Sequence, residues 1–493
     1  MNSAAVVRPT STACPPATNA CAGWPESCSS GSPPADDRDE FVRHRCGGDD
    51  PAVHLVNRLP REGRADQVLL VGLSLFTLMS FFPAVPNSVN GKLKVVGCIV
   101  AVAWLAVVWR SDHPRVLWRE HRLVAVATVG LVMWSLSSTL WATDRGSALA
   151  SAGRVAMGAA LLVVVFTGGR DRRAVLTLTL AFVAGGALTV AFGLIFKPGP
   201  PVVGAVFDPT RLSGGVGDPN DLAAALVPAI ALGLFGLSYV RNRQGRVALA
   251  AILVALLTGM LLTQSRGGLA ATAVMLGAGL VLGGRLRGRI AALCGVLVLI
   301  GVFYYAFLAP TESVDRLVSV VHSDASGRRS DASNRFPLWA HAARLIAQQP
   351  IAGVGAGNYR AAVEQRFGRD PATDAVHQRI VHNSYLEIQA ELGIVGMLLF
   401  LTVVGGAVAT AFRSAQGAAT DGDRDGELLA RGILIGLIGL LAAQLFLSGE
   451  YQVQFWWLMG LSLALAGTGV RATSGSGDRL PAGGRPGLPC DAS

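Results

Sequence analysis

The chain is dominated by a succession of long apolar runs that begins at residue 67. Each run has about 17 to 22 residues, and a helix needs roughly 20 apolar residues to cross the hydrocarbon core of a bilayer. In lipid, only helices and closed barrels satisfy every backbone polar group, and the ten-residue alternation of barrel strands does not occur here. The sequence therefore predicts an all-α, polytopic membrane protein with about 12 transmembrane helices. The predicted runs lie near 67–86, 92–109, 122–142, 148–167, 174–195, 221–239, 247–263, 267–282, 290–307, 393–412, 431–448 and 452–468.

The composition excludes two other classes of protein. Apolar residues make up 51% of the chain and charged residues 15%, whereas a soluble domain carries roughly 25% charge. An ordinary soluble enzyme is excluded by this balance, and so is an intrinsically disordered chain, because disorder requires low hydrophobicity.

The net charge of +10 is concentrated in alternate connections between the runs. Among the short connections, one set holds sixteen Arg residues and the opposite set holds six Lys or Arg residues. Because cytoplasmic loops are enriched in Lys and Arg, we expect the first set and both termini to be cytoplasmic. The charge then reflects topology, and no nucleic acid partner is expected. The sixteen are Arg110, Arg115, Arg119, Arg122, Arg170, Arg172, Arg173, Arg241, Arg243, Arg246, Arg285, Arg287, Arg289, Arg413, Arg424 and Arg431.

The chain is predicted to have five regions. They are a disordered cytoplasmic tail (1–66), transmembrane helices 1 to 9 (67–307), a large extracytoplasmic catalytic loop (308–392), transmembrane helices 10 to 12 (393–470) and a disordered cytoplasmic tail (471–493). A zinc site is not expected in the first tail, because its cysteines form no C-x-x-C pair. These cysteines are Cys14, Cys21, Cys28 and Cys46.

The large loop contains two amphipathic helix patterns. Apolar residues recur at spacings of three and four before Pro350, and again between Asn358 and Gly368. Between the two patterns runs Pro350-Ile-Ala-Gly-Val-Gly-Ala-Gly-Asn358. Its glycines favour a tight turn between helices over a phosphate cradle, because no strand precedes them.

The most informative string is His382-Asn-Ser-Tyr-Leu-Glu387, which precedes the tenth run. Ser384 followed by Glu387 is a capping-box pattern, so a helix is expected to begin there with His382 just outside its positive end. A neutral imidazole in this place can accept a proton from a hydroxyl, and the helix end attracts an anionic group. A capping or interface role for His382 explains the spacing equally well.

His382 and Asn383, followed by Gly393 and Gly396, resemble the H-[NSQ]-x9-G-x-x-[GTY] signature of the O-antigen ligase superfamily. Further strings are similar in order: Ser135 to Trp141, Arg211 with Asp218-Pro-Asn220, Gln264-Ser-Arg266-Gly-Gly268, and Asn334-Arg335 through to Gly355. The resemblance covers about residues 67 to 470. Gly215 stands where ligases carry Leu after Arg211, so ligase and repeat-unit polymerase both stay open.

The resemblance implies a bacterial plasma-membrane glycosyltransferase. It would move a glycan from an undecaprenyl pyrophosphate donor to an acceptor hydroxyl of a glycan or lipid at the outer face. His382 is implied as the general base or as a group that positions the acceptor. Arg211, Arg266 and Arg335 are implied as ligands of the pyrophosphate, with Arg154 as a further candidate. An arginine that snorkels to the interface is the other interpretation of Arg154.

No metal site and no cofactor are expected. The D-x-D pair Asp421-Gly-Asp423 lies on the predicted cytoplasmic side, within a polar linker and opposite the histidine loop. A membrane transporter is the alternative from another functional class. Transporters place charges in broken helices at the bilayer midplane, whereas His382 and the candidate arginines are predicted at one face, which favours chemistry there.

Overall fold

The computed structural model describes residues 64–83, 113–196, 211–307, 331–368 and 381–474, with the isolated positions 97, 100, 102 and 104. These residues belong to one compact unit, Glu62–Ser493. Every regular element in the described ranges is helical, which confirms the all-α prediction. The α-helices are α1 Arg64–Met79, α2 His113–Glu120, α3 Arg122–Ser137, α4 Arg145–Gly168, α5 Arg172–Phe196, α6 Pro219–Tyr239, α7 Arg243–Leu262, α8 Arg266–Leu282, α9 Arg287–Phe307, α10 Asp331–Gln348, α11 Tyr359–Phe367, α12 Ser384–Thr420, α13 Arg424–Ala443 and α14 Val453–Ser474.

The predicted count of twelve spans is not confirmed. Within the described ranges, seven helices are long and apolar enough to cross a membrane, or up to eight if the bent pair Arg266–Leu282 and Gly284–Leu299 is one span. The two parts of that pair meet at 114°. Two further apolar helices, Asp66–Met79 and Val453–Gly467, are shorter than the spans. The second predicted run, 92–109, falls almost entirely outside the described residues, as do most of the two predicted tails and the four tail cysteines.

Side-chain caps explain where several of the helices begin. The carboxylate of Asp144 accepts the backbone N–H groups of Gly146 and Ser147 at the start of α4. Asp218 caps α6 in the same way, Ser265 caps α8 and Asp423 caps α13. Each cap satisfies donors that the first helical turn leaves without a partner. The polar residues between the apolar runs therefore fix the ends of the helices.

Helices α6, α13 and α14 form the centre of the bundle. Every residue of α6 from Leu222 to Gly236 is buried, and α13 packs along it. In α14 the ring of Trp457 stacks on Phe182 of α5 with 4.7 Å between ring centroids. Helices whose surface is buried all round are typical of the interior of a polytopic bundle.

The long polar segment contains helices at both predicted positions. Helix α10 ends just before Pro350, and α11 lies between Asn358 and Gly368. Residues of α10 and α11 form a small apolar cluster with Val354, Val381 and Ala390. Its members on the two helices are Ala342, Leu345, Tyr359 and Ala362. This cluster anchors α10 and α11 beside the start of α12.

The arginine-rich connections are joined at one end of the bundle. Arg170 forms an ion pair with Glu120 at 2.7 Å, and Arg172 pairs with Asp423. Glu427, which is buried, accepts from both Arg285 and Arg431 at 2.8 Å. We call this the arginine-rich end. The candidate functional residues lie at the other end, among the connections before α4, α6, α8, α12 and α14.

Candidate functional site

His382 lies immediately before α12, as the sequence predicts, but the cap of this helix differs from the prediction. The cap is Asn383, whose side-chain oxygen accepts the backbone N–H groups of Tyr385 and Leu386, both at 3.1 Å. Ser384 is the first helical residue, and its hydroxyl bonds to a neighbouring connection instead. The predicted Ser384–Glu387 capping box is therefore wrong. Asn383 and Ser384 are both residue types that can cap a helix. The hydroxyl of Ser384 bonds to Gln444 and Leu447, so Asn383 is the cap.

The connection between α13 and α14, residues 444–452, holds the histidine segment in place. The backbone N–H of His382 donates to the hydroxyl of Ser448 at 3.1 Å. The backbone N–H of Ser384 bonds to the carbonyl groups of Gln444 and Leu447, both at 3.0 Å. His382 itself has a φ of 53°, in the left-handed region, which is uncommon for a residue other than glycine. The contacts with the 444–452 connection hold the backbone of His382 in this conformation.

Arg154 extends from α4 towards the same connection. Its guanidinium lies over the ring of Tyr451, 4.8 Å from the ring centroid, and one terminal nitrogen donates to Ser151 at 2.8 Å. Because Tyr451 belongs to the connection that contacts His382, the structure places Arg154 close to the histidine segment. Its predicted role in binding the substrate stays a prediction.

Three glutamates, which the sequence analysis did not single out, lie close to Arg154. Glu387 and Glu391 project from the first turns of α12, and Glu450 lies in the 444–452 connection. The three carboxyl groups interact electrostatically with Arg154 and with one another. Burial raises the pKa of Glu450 to about 7, against the opposing effects of hydrogen bonds and Arg154. This end of the bundle therefore holds a cluster of buried ionisable side chains within an apolar protein.

Each glutamate has a different set of partners. Both oxygens of Glu391 are used, because they accept the backbone N–H groups of Gly357 and Tyr359 at 2.6 and 3.1 Å. Glu387 accepts a hydrogen bond from Ser448. One oxygen of Glu450 is buried and has no partner within the described residues. Glu391 is therefore an internal cap of α11, while Glu450 retains an unused acceptor.

The glycine string Gly353–Gly357 is a tight turn between helices, as predicted. Gly353, Gly355 and Gly357 all have positive φ, and a Cβ at any of them would meet neighbouring atoms. The backbone N–H of Gly357 donates to the carboxylate of Glu391. In a phosphate cradle, a backbone N–H of this kind would donate to the ligand instead. The string therefore binds protein atoms, and it positions α11 against α12.

Arg211 and Arg266 belong to a second group of polar residues at the same end. Arg211 donates to the carbonyl of Thr263 at 2.9 Å and to the side-chain oxygen of Asn220 at 3.1 Å. That same oxygen of Asn220 accepts from the hydroxyl of Ser265 at 2.9 Å. Arg266 follows directly as the first residue of α8 and is exposed. Part of the Arg211 guanidinium is therefore committed to internal contacts, whereas Arg266 presents its side chain to the surroundings.

The 444–452 connection also reaches this second group. The amide of Gln452 donates to Asp221 at 3.0 Å, one residue beyond Asn220 at the start of α6. One connection thus contacts His382, Arg154 and the first turn of α6, where Asn220 bonds to Arg211. Arg335 lies in the first turns of α10, but its side chain falls outside the described residues, so its predicted role stays a prediction.

Comparison with known proteins identifies the domain that carries the histidine motif. Residues 251–401 match the profile of a protein family described as O-antigen ligase. Residues 251–401 are similar to an O-antigen ligase domain. This supports the chain's place in the O-antigen ligase superfamily, and the apolar helices make it a multi-pass membrane protein with an expected place in polysaccharide biosynthesis. No curated protein matches the chain.

One similar solved structure is described as "Structural coordination of polymerization and crosslinking by a peptidoglycan synthase complex". The two sequences are 19% identical, and the match covers 69% of this chain and 96% of that chain. The TM-score is 0.37, too low to support an argument about fold or activity.

The O-antigen ligase domain contains only part of the site. Arg266, Arg335, His382 and two of the glutamates lie within residues 251–401, whereas Arg154, Arg211 and the 444–452 connection lie outside this range. The sequence did carry a signal for the missed part. Gln444, Ser448 and Glu450 are polar residues between two apolar runs, and the predicted run 431–448 absorbed two of them.

The D-x-D pair Asp421-Gly-Asp423 lies at the arginine-rich end, away from the histidine segment. Asp423 caps α13 and pairs with Arg172. Burial raises the pKa of this carboxyl, but the hydrogen bonds and the charge of Arg172 outweigh burial and leave the pKa below its usual range. The part of the chain that the structure describes contains no group of three His, Cys, Asp or Glu side chains arranged to hold a metal ion.

Proposed function

We propose that the protein is a membrane glycosyltransferase that moves a glycan from an undecaprenyl pyrophosphate donor to an acceptor hydroxyl at the outer face of the bacterial plasma membrane. The observation that carries the proposal is the convergence of the family's histidine motif with Arg154, Arg211 and Arg266 at one end of the bundle, around the 444–452 connection. Ligase and polymerase share this donor chemistry and differ in the acceptor. We propose the ligase reaction, with repeat-unit polymerisation as the alternative.

The proposed reaction needs little covalent chemistry from the protein. The acceptor oxygen forms a bond to the anomeric carbon, the bond from that carbon to the phosphate oxygen breaks, and the hydroxyl proton passes to His382. The electron pair leaves with undecaprenyl pyrophosphate, which is already a good leaving group. Arginines stabilise the charge that develops there, because a guanidinium offers planar, paired donors to phosphate oxygens. Neither a metal ion nor a cofactor takes part in this proposal.

Purified protein in liposomes provides the direct test. We expect it to consume an undecaprenyl pyrophosphate-linked glycan when an acceptor is present, to release undecaprenyl pyrophosphate, and to be insensitive to EDTA. If the donor is intact after incubation with both a lipid acceptor and a second lipid-linked chain, the proposed function is wrong. A product that grows by repeat units without a lipid acceptor would select the polymerase.

Arg266 offers the cleanest test of the donor site. Arg266→Ala should raise the KM for the lipid-linked donor by about tenfold or more, since a charge-assisted hydrogen bond is worth about 1.5–3 kcal/mol. Arg266→Lys should restore only part of the loss, because Lys lacks the planar fork. The protein should stay folded, because the Arg266 side chain is exposed and makes no hydrogen bond within the described ranges.

Arg243 is the matched control for Arg266, because it is also an exposed first residue of a helix, at the arginine-rich end. Arg243→Ala should leave the donor KM unchanged. Equal effects of Arg243→Ala and Arg266→Ala would show that the loss reflects general charge and not a donor contact. Arg211→Ala is a less decisive variant, because it also removes the bonds to Thr263 and Asn220.

The orientation proposed from the charge pattern has its own test. Thr143 and Thr420 are exposed residues of the same type at the two ends of the bundle. In a variant without native cysteines, Thr143→Cys should react with an impermeant thiol reagent in intact spheroplasts, and Thr420→Cys should react only after the membrane is opened. The reverse labelling would place the site in the cytoplasm and contradict the proposal.

A further inference from the structure

The segment Gly449–Gln452 is rigidly attached to the rest of the bundle. The N–H of Gly449 donates to the hydroxyl of Ser384 at 2.8 Å. The indole N–H of Trp456 donates to the carbonyl of Glu450 at 2.8 Å, and the ring of Trp456 packs against Gly158 of α4. Gln452 is bonded to Asp221 of α6. The segment is therefore fixed to α4, α6, α12 and α14 at once, so Tyr451 within it has little freedom to move.

Tyr451 presents its ring to the guanidinium of Arg154. The distance of 4.8 Å to the ring centroid is within the range of a cation–π contact. The contact is measured from the central carbon of the guanidinium, and it uses none of the N–H groups as hydrogen-bond donors. Of these donors, one is bonded to Ser151, and within the described ranges Arg154 has no carboxylate in ion-pair contact. The edge of the guanidinium is thus available for an anion.

Three nearby glutamates interact with Arg154 through their electrostatic field and not through hydrogen bonds. Glu387, Glu391 and Glu450 interact electrostatically with Arg154, yet their hydrogen-bond partners are other groups, including Ser448 and the N-terminus of α11. The attraction of three nearby carboxyl groups helps to orient this guanidinium. An anion that binds here has to contact the guanidinium and not the carboxyl groups.

We propose that Tyr451 is a positioning residue that holds the Arg154 guanidinium for the diphosphate group of the substrate, and that the Gly449–Gln452 segment aligns this arginine with the histidine motif and with Arg211. The ligand is a diphosphate ester. The inference rests on the proposed function for its substrate, and it assigns a role to a segment that lies beyond the matched domain, residues 251–401. Tyr451 acts through Arg154 and does not itself contact the reacting atoms.

The experiment compares Tyr451→Phe, Tyr451→Leu, Arg154→Ala and the double variant Tyr451→Leu with Arg154→Ala in the full-length protein. Two quantities are measured: the Kd of inorganic pyrophosphate by calorimetry, and the KM and kcat for the lipid-linked donor. Tyr451→Leu should raise both Kd and KM by about 3- to 30-fold, with a smaller effect on kcat. Tyr451→Phe should lose far less, because it keeps the ring. In the Arg154→Ala background, Tyr451→Leu should have no further effect, since the two residues act as one unit.

Tyr239→Leu is the control for the general loss of a tyrosine ring, because Tyr239 ends α6 at the arginine-rich end. It should leave both quantities at the parental level. Additive effects of Tyr451→Leu and Arg154→Ala would overturn the proposal, and so would a Tyr451→Leu protein with parental Kd and KM. Pyrophosphate binding that depends on Tyr451 without any glycan transfer would leave this inference standing and reject the proposed function. Glycan transfer at the parental rate by Tyr451→Leu would leave the proposed function standing and reject this inference.

Discussion

Replacing His382 by Ala should reduce glycan transfer by about a hundredfold to ten-thousandfold while the protein accumulates at its normal level. General-base assistance typically accounts for a factor of this size. The protein should remain folded, because the substitution keeps the backbone bond of His382 to Ser448 and the bonds of Ser384 to the 444–452 connection. The measurement is the rate of donor consumption by purified protein in liposomes, normalised to the amount of folded protein.

His382→Asn separates the loss of the imidazole from backbone strain. His382 has a φ of 53°, and Asn adopts positive φ more readily than Ala does. If the imidazole accepts the proton, both variants should lose activity equally. His121→Ala is the matched control, because it removes another half-buried histidine, whose ring bonds to the carbonyl of Leu463, at the arginine-rich end. Near-parental transfer by His382→Asn would return His382 to a capping or interface role.

The apolar runs predicted the positions of the helices well, because a helix in lipid must satisfy its backbone within itself and so appears as a long apolar segment. The ends of the helices were less predictable. The predicted run 431–448 extends five residues past Ala443, where α13 ends. Residues 444–452 leave the helix because their backbone groups bond to the start of α12, a contact between segments about 60 residues apart that no local pattern encodes.

The candidate site was only partly predictable for the same reason. His382 carries a local motif, and the 444–452 connection that contacts it also contacts Arg154 and Asp221 of α6. Glu450 and Tyr451 carry no motif, and their place beside Arg154 depends on how α4 packs against the 444–452 connection. Sequence spacing detects groups on one helix face, whereas this site is assembled from the ends of five helices.

Gly393, the first glycine of the histidine motif, has a structural role in the backbone of α12. It was predicted as the start of the tenth membrane run, and in the structure it is a kink inside α12, with φ 64° and ψ −166°. That combination is essentially restricted to glycine. The kink lets the backbone N–H of Ile394 bond to the carbonyl of Pro350 at 2.8 Å, and that of Val354 to the carbonyl of Ala390 at 3.0 Å. Gly393 therefore joins the glycine turn to the histidine helix.

Gly393→Ala should destabilise the protein severely, by more than about 3 kcal/mol. The strained backbone conformation costs of order 1–3 kcal/mol for a residue with a Cβ, and the added methyl group would in addition overlap the backbone carbonyl of Ile351, which a rigid turn between two helices has no room to relax. Gly405→Ala, in the same helix, is the control: its Cβ would meet nothing within 4 Å, so it should be neutral or stabilising by about 0.5–1 kcal/mol. Membrane levels and thermal midpoints of the two variants in detergent provide the measurement. A Gly393→Ala protein as stable as Gly405→Ala would mean that the kink is not required, and that this motif glycine has its role in the chemistry of transfer.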